Sequence, residues 1–139
     1  MKIVLTEQES EKYFETALCD GLGYFLTSYG FCIDLDGDKY AKVKNMVRAE
    51  VKEDEGDDED YSLKLCREPL LMMYLKEGGS IKFQDDEGDY DTDLTIKLIH
   101  ERVQETPIEH LVDMVNEQGD ADTADAVIQS VLFGEVIFG

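Results

Sequence analysis

Phe14, Ala17, Leu18, Gly21, Leu22 and Phe25 follow one another at spacings of three and four residues, the pattern of a helix with a single buried face. A glycine inside that face costs helix stability, so its presence predicts close packing against another element at Gly21. The chain must therefore supply a facing layer. At 139 residues, with 42% of them hydrophobic, it has the material for one core and no need of disulfide or metal staples.

The remaining patterns predict an α+β fold: a single compact domain over 1–139, with about five or six helices on a small mixed or antiparallel sheet that includes a β-hairpin near 80–97. Lys2 to Leu5 reads as a short strand, after which Thr6 and Glu9 form a capping box that opens the first helix, and Gly30 closes it. Phe31, Ile33 and Leu35 alternate with Cys32, Asp34 and Asp36, as in a half-buried strand. Tyr40, Val43, Met46, Val47 and Val51 mark a second helix from about Asp38. Arg67 to Glu77 is a short apolar helix with Pro69 in its first turn and Gly78 and Gly79 after it. Ile81 and Phe83, then Leu94 and Ile96, give the two hairpin strands, joined by a loop of roughly seven to nine residues. A helix around Leu98 to Gln104 is followed by a capping box of Thr106 and Glu109, and Ile108, Leu111, Val112 and Val115 are expected to face the core. Asp122 is expected to cap a last helix that buries Ala124, Val127, Ile128 and Val131. Gly134 stops that helix before a closing strand, Val136 to Phe138.

Charge is the second constraint, and it bears on function. Thirty-three acidic against thirteen basic residues give a net charge of −20, far beyond the magnitude of about 8 that suffices to keep a small domain soluble. A compact chain of this length has a radius of gyration of roughly 14 Å and a diameter of about 37 Å. Duplex DNA of that length carries roughly 22 charges, so the protein matches a DNA segment of its own size. Direct binding to nucleic acid is disfavoured by repulsion. Five of the basic residues, Lys39, Lys42, Lys44, Arg48 and Lys52, fall on the second helix, the positive face of the molecule. The run Glu53 to Asp60 has seven acids in eight positions and reads, over about 53–61, as a mobile acidic loop. After Arg102 there are eight acids and no lysine or arginine.

Motifs for catalysis or metal binding are not evident. Asp34, Asp36 and Asp38 lack the glycine and glutamate spacing of a calcium loop, and the hairpin turn with Asp85, Glu87, Asp89, Asp91 and Asp93 reads as a solvated tip, with a dedicated cation site the lesser alternative. His100 and His110 lack the i, i+4 spacing of a helical zinc site. No nucleophile elbow or phosphate-binding glycine loop is present. Cys19, Cys32 and Cys66 are odd in number and far apart, which argues against a disulfide framework or zinc knuckle. Too few residues precede Glu7 for a secretory leader, and no apolar run is long enough for a membrane span, so the expected location is the cytoplasm, that of the host if the chain is viral.

These observations predict a non-catalytic acidic binding protein without cofactor or metal. Its expected partner is a positively charged protein, and its expected mode is to occupy the nucleic-acid channel of a basic enzyme, as phage-encoded anti-restriction and anti-CRISPR proteins do; the likeness is in size and charge, not in any motif. The expected contact residues are Asp85, Asp86, Glu87, Asp89 and Asp91 at the hairpin tip and Glu109, Asp113, Glu117 and Asp120 in the C-terminal part, on a monomer or homodimer. The alternative is a structural or assembly subunit of a virion or larger complex.

Overall fold

The computed structural model describes residues 2–55 and 63–139. Among them the chain forms α1 (Glu7–Tyr29), β1 (Phe31–Asp34), α2 (Gly37–Glu55), a 3-10 turn (Leu63–Leu65) and α3 (Arg67–Lys76). There follow β2 (Ile81–Asp85), β3 (Thr92–Leu94), α4 (Ile96–Arg102), a second 3-10 turn (Val103–Glu105), α5 (Ile108–Val115) and α6 (Ala121–Phe133). The fold is α+β, six α-helices packed on a three-stranded antiparallel sheet in the order β1-β2-β3.

α1 starts at the capping box read from the sequence: Glu9 N–H donates to Thr6 Oγ1 at 3.1 Å, and Thr6 N–H donates to the Glu9 carboxylate at 2.9 Å. It stops at Gly30, whose φ of 71° is the left-handed conformation that glycine adopts without penalty. All six residues of the stripe that begins at Phe14 are buried. A Cβ placed on Gly21 would lie 3.0 Å from Ala124 Cβ, so α1 and α6 meet with almost nothing between their backbones. The sheet covers one end of this pair. Phe31, Ile81, Phe83 and Leu94 point inward toward Phe25 and Phe133, while Cys32, Asp34, Lys82 and Asp93 point outward. On the outer face Lys82 is registered between Asp34 on one side and Asp93 on the other, the opposite-charge pairing that favours this alignment.

α2 stands apart from the main core. Val43, Val47, Val51 and Leu70 form a satellite cluster with Tyr40, Leu65 and Met73, which seats α2 on α3. Asp36 starts the helix by accepting the N–H groups of Asp38 and Lys39 at 3.0 and 3.2 Å. The buried Tyr74 hydroxyl accepts the Asp36 N–H and donates to the Ser80 carbonyl, which ties that start to the chain entering β2.

Several sequence expectations are corrected. Lys2 to Leu5 is not a strand: Ile3 and Leu5 pack on the core, and the Leu5 N–H is taken by the Gln104 side chain. Ile96 belongs to α4, because Thr95 accepts the Leu98 N–H and caps a helix where a strand was expected to continue. The hairpin loop is 86–91, shorter than expected, because β2 runs on through Asp85. α2 extends through Glu53, Asp54 and Glu55, the first three residues assigned to the acidic loop; the rest of that assignment lies outside the described residues. Val136 to Phe138 is not a strand either. The buried Gln129 amide stands in for a partner strand, accepting the Ile137 and Phe138 N–H groups at 2.9 and 2.8 Å and donating to the Phe138 carbonyl.

Gly21→Val should destabilise the fold by about 2 kcal/mol or more, since the branched side chain must displace a helix backbone rather than a flexible side chain. Ala124→Gly alone is also destabilising, yet in the double variant it should restore part of the loss. Thermal and denaturant melting of the four proteins measures this coupling. Additive single effects would show that the α1–α6 approach is not the constraint.

Candidate partner-binding surface

The acidic residues expected to meet a partner are placed in two groups. Asp85, Asp86, Glu87, Asp89 and Asp91 lie at the hairpin, which is fastened to the body by Tyr90 packing edge-on to Phe133 and Phe138. Glu109 and Asp113 lie on α5, Glu117 just beyond it, and Asp120 at the start of α6. The first group is therefore at the C-terminal end of α6 and the second near its N-terminal end. A helix of 13 residues separates them by about 20 Å. They form two negative patches rather than one continuous array.

Not all of these carboxylates are free in both oxygens. Asp85 accepts the Tyr90 N–H at 3.2 Å and Asp91 accepts the Asp85 N–H at 3.3 Å, so this pair closes the hairpin turn on itself. Asp120, not Asp122, is the N-cap of α6: its Oδ1 accepts the Thr123 N–H at 3.0 Å and the Thr123 hydroxyl at 3.1 Å. The Thr123 backbone N–H first, and its hydroxyl second, hold the Asp120 carboxyl below the usual aspartate range. Glu9 is lowered in the same way by the Thr6 backbone and then by its side chain. The alternating acids of the sequence thus serve in part as acceptors for backbone N–H groups, an ordinary use of short carboxylates at turns and caps.

The capping box expected at Thr106 does not form. The Thr106 N–H is committed to the Val103 carbonyl, which ends the preceding 3-10 turn, and the Thr106 side chain is buried away from the first turn of α5. Pro107 occupies the cap position, its carbonyl accepting from His110 and Leu111.

α5 departs furthest from expectation. Of Ile108, Leu111, Val112 and Val115, only Leu111 is in the core; Ile108, Val112 and Val115 are 41%, 39% and 46% exposed. At i, i+4 and i+7 these three make one stripe along the helix. α5 rests on α6, which takes up only the Leu111 and Met114 side of its apolar arc. The width of that arc in the sequence was the available signal, since a two-turn helix seated mainly on one other helix cannot bury five apolar residues in eight.

Beyond Val115 the surface dips into a cleft of about 450 Å³ between α1 and the α5–α6 turn, lined by Tyr13, Met114, Asp20, Glu117, Asp120 and the ammonium-bearing Lys12. Glu117 turns the chain there with φ 58°, left-handed for a non-glycine residue, and the following Gln118 N–H reaches back to the Asp113 carbonyl at 2.7 Å. This is a glycine-type helix ending built on glutamate.

Elsewhere, the Lys or Arg to carboxylate pairs among the described residues are Arg67–Glu68, Lys76–Glu11 and Lys97–Glu101. Arg102, the last basic residue of the chain, donates to the Val131 and Leu132 carbonyls at 3.2 Å and so ends α6. His100 is clamped by Glu11 at 2.6 Å, joining α4 to α1, and His110 lies 3.3 Å from the Thr123 hydroxyl. No three His, Cys, Asp or Glu side chains among the described residues are grouped to hold a metal ion. Cys19, Cys32 and Cys66 are exposed free thiols. Partial desolvation beside α3, followed by the neighbouring Glu15, Glu68 and Asp20, pushes the Cys19 thiol up and keeps it in its less reactive protonated form. Among the described residues no helix is long and apolar enough to cross a membrane.

Comparison with protein-family models, curated proteins and solved structures finds no match for this chain.

Asp120→Ala should lower the melting temperature at neutral pH, whereas Asp122→Ala should leave it close to wild type. A carboxyl whose folded pKa is depressed stabilises above its unfolded value of about 3.9, and that stabilisation is lost as pH falls through the folded value. The two melting curves should therefore converge in acid, and a gap that persists there would mean that Asp120 acts by packing. Glu117→Gly should stabilise by up to about 1 kcal/mol, since glycine adopts the left-handed conformation without the clash that glutamate carries. A lower melting temperature for this variant would show that the Glu117 side chain makes a compensating contact.

Proposed function

We propose that this protein is a non-catalytic acidic binding protein whose partner is a positively charged, nucleic-acid-binding protein in the cytoplasm, and that it acts as a nucleic-acid mimic in the manner of phage anti-restriction and anti-CRISPR inhibitors. The observation that carries the reading is a folded C-terminal part that is acidic throughout and has no lysine or arginine. The helices pack in a row, α5 on α6, α6 on α1, α1 on α3 and α3 on α2. At one end of that row lies α2, whose Lys39, Lys42, Lys44, Arg48 and Lys52 are balanced by Asp38, Glu50, Glu53, Asp54 and Glu55. At the other lie α5 and α6, whose segment carries six acids, with Glu105 before it and Glu135 after it, and no lysine or arginine. Arg102, the nearest cation in sequence, is directed at the end of α6. A surface of this kind attracts rows of Lys and Arg that otherwise hold phosphates, through steering and complementarity rather than through area.

The second reading, an assembly subunit, draws on the exposed apolar stripe of α5. Assembly through strand pairing at Val136 to Phe138 has less support. Gln129 already holds those backbone groups, and the Phe138 ring is stacked on Tyr29 with centroids 4.5 Å apart.

The test is a pull-down from native cell extract washed at rising salt, followed by binding measurements on the protein retained. Under the mimic reading that protein is basic, is displaced by duplex DNA, and is released steeply with ionic strength. Neutralising Glu109, Asp113, Glu117 and Asp122 to Gln or Asn should weaken binding at low salt and flatten its dependence on ionic strength. Affinity indifferent to salt and to all four changes would rule the mimic reading out; recovery of the chain in a large particle would favour assembly.

A further inference from the structure

We propose that the exposed stripe of α5, with the cleft at its C-terminal end, is the docking face for a basic amphipathic helix of the partner protein. This rests on the reading that the partner is positively charged, and it specifies which surface is used and what chemistry meets it. Ile108, Val112 and Val115 line one side of α5 over about 10 Å, two turns of helix, the length that an i, i+3, i+4, i+7 set of apolar anchors on an opposing helix covers. Elsewhere the apolar residues of the regular helical pattern go inward except Met46 of α2, which is 39% exposed. In α1 and α6 every position of the three-and-four repeat is buried, so the α5 stripe is a local departure and not a loose core.

The surroundings of the stripe select its occupant. On the α5 cylinder Glu109 and Asp113 stand beside it, Glu105 precedes it, and Glu117 follows it. An apolar centre with a polar rim is the anatomy of a protein interface, and here the rim is mainly acidic, with Lys2 near Ile108 and Lys12 near Val115 as its cations. A second copy of this chain would bring the same carboxylates against these, with −20 on each side, and three half-exposed side chains fall far short of the roughly 800 Å² per partner that a stable dimer buries. Nucleic acid is repelled by the rim. A helix with leucines on one side and lysines or arginines flanking them satisfies both the stripe and the rim.

The cleft beyond Val115 adds a position for one long basic side chain. Tyr13 and Met114 offer apolar surface for its stem, and the exposed Asp20, Glu117 and Asp120 offer carboxylates for its charged head. Lys12, which also lines the cleft, opposes a cation there and must swing toward solvent.

The probe is a 14-residue peptide of leucine and lysine with helical spacing; its control has serine at every leucine position and the same charge. Fluorescence anisotropy at low and high salt compares both on the wild type and on Ile108→Ser, Val112→Ser, Val115→Ser. On the wild type the amphipathic peptide should bind at least about 10-fold more tightly than the control. The triple variant should erase that advantage while leaving the weak, salt-dependent binding of the control unchanged. Amide shifts in the nitrogen-15 spectrum should concentrate at 105–120, which tests the proposal even if the triple variant folds poorly. Equal binding of the amphipathic peptide to the triple variant, or shifts centred on 86–91, overturns the docking face and leaves the charge reading intact. Failure of both peptides at low salt overturns the charge reading with it. Wild-type self-association that the triple variant abolishes makes a second copy the occupant and likewise overturns the proposal.

Discussion

The close approach of α1 and α6 at Gly21 and Ala124 sets the rest of the architecture. With a hypothetical Cβ at 3.0 Å from its neighbour, the two helices form one slab rather than two cylinders with a filled groove. Gly21 lies against Ala124 and Phe25 against Phe133, while Tyr29 stacks on Phe138 of the tail that returns to Gln129. Residues after the helices, Phe31 on one chain segment and Phe138 on the other, are thereby delivered to the same aromatic cluster. The small sheet then needs only one buried face, because the slab covers it. The polar bonds at this end follow from the same geometry. Tyr29 donates to Asp125 at 2.9 Å, Gln129 donates to the same carboxylate at 2.8 Å, and Gln129 holds the tail. Partial burial first, and the Asp125 hydrogen bond second, raise the Tyr29 phenol well above its usual range. This contact therefore stabilises the fold at neutral pH and is lost only in strong alkali, as pH rises past the unfolded value of about 10 toward the folded one.

A chain with 33 carboxylates must fold while keeping them apart and hydrated. The structure uses two devices. Part of the acidic complement is set against backbone N–H groups at Asp36, Asp85, Asp91 and Asp120, where partial positive charge at turns and helix starts favours an anion. The few cations are placed where they act most locally: Arg102 at the end of α6, Lys82 between two aspartates across the sheet, Lys76 beside Glu11. Exposed pairs of this kind contribute little each, so among the described residues they offset little of the repulsion between carboxylates.

What could be read from the sequence was what depends on nearest neighbours. The Thr6–Glu9 box, the glycine stops at Gly30 and Gly134, the buried stripes of α1 and α6 and the alternation in β1 and β2 are local in origin, and each lies where its pattern puts it. The close contact at Gly21 was legible because glycine in a buried helical face has few other reasons to be there. What failed depended on tertiary competition. Val136 to Phe138 has strand character but finds a side-chain amide in place of a strand. Thr106 resembles a cap, yet the preceding turn already claims its backbone. Asp120 and Asp122 are equally good caps by type, and only the extended backbone at Asp120 decides between them. The acids of the candidate surface were visible as residues but not as two patches, since the distance between them is the length of a helix whose neighbours had to be known first.

α5 marks the place where local pattern and tertiary packing disagree, and the disagreement has a physical consequence for the surface. An apolar stripe left in water invites association, and the usual protection is to surround it with charge. Here that charge is mainly negative, with Lys2 and Lys12 as the cations at its two ends, so protection is selective: any approaching surface must supply apolar contact within a negative field. Another copy of the chain, or a nucleic acid, meets that field with like charge, and the repulsion grows as the surfaces close and water between them is lost. A positively charged approach meets attraction over the same distance and reaches the stripe already oriented. In the proposed function the carboxylates therefore govern how quickly and how salt-dependently a partner arrives, while Ile108, Val112 and Val115 govern how long it stays once the rim has been neutralised.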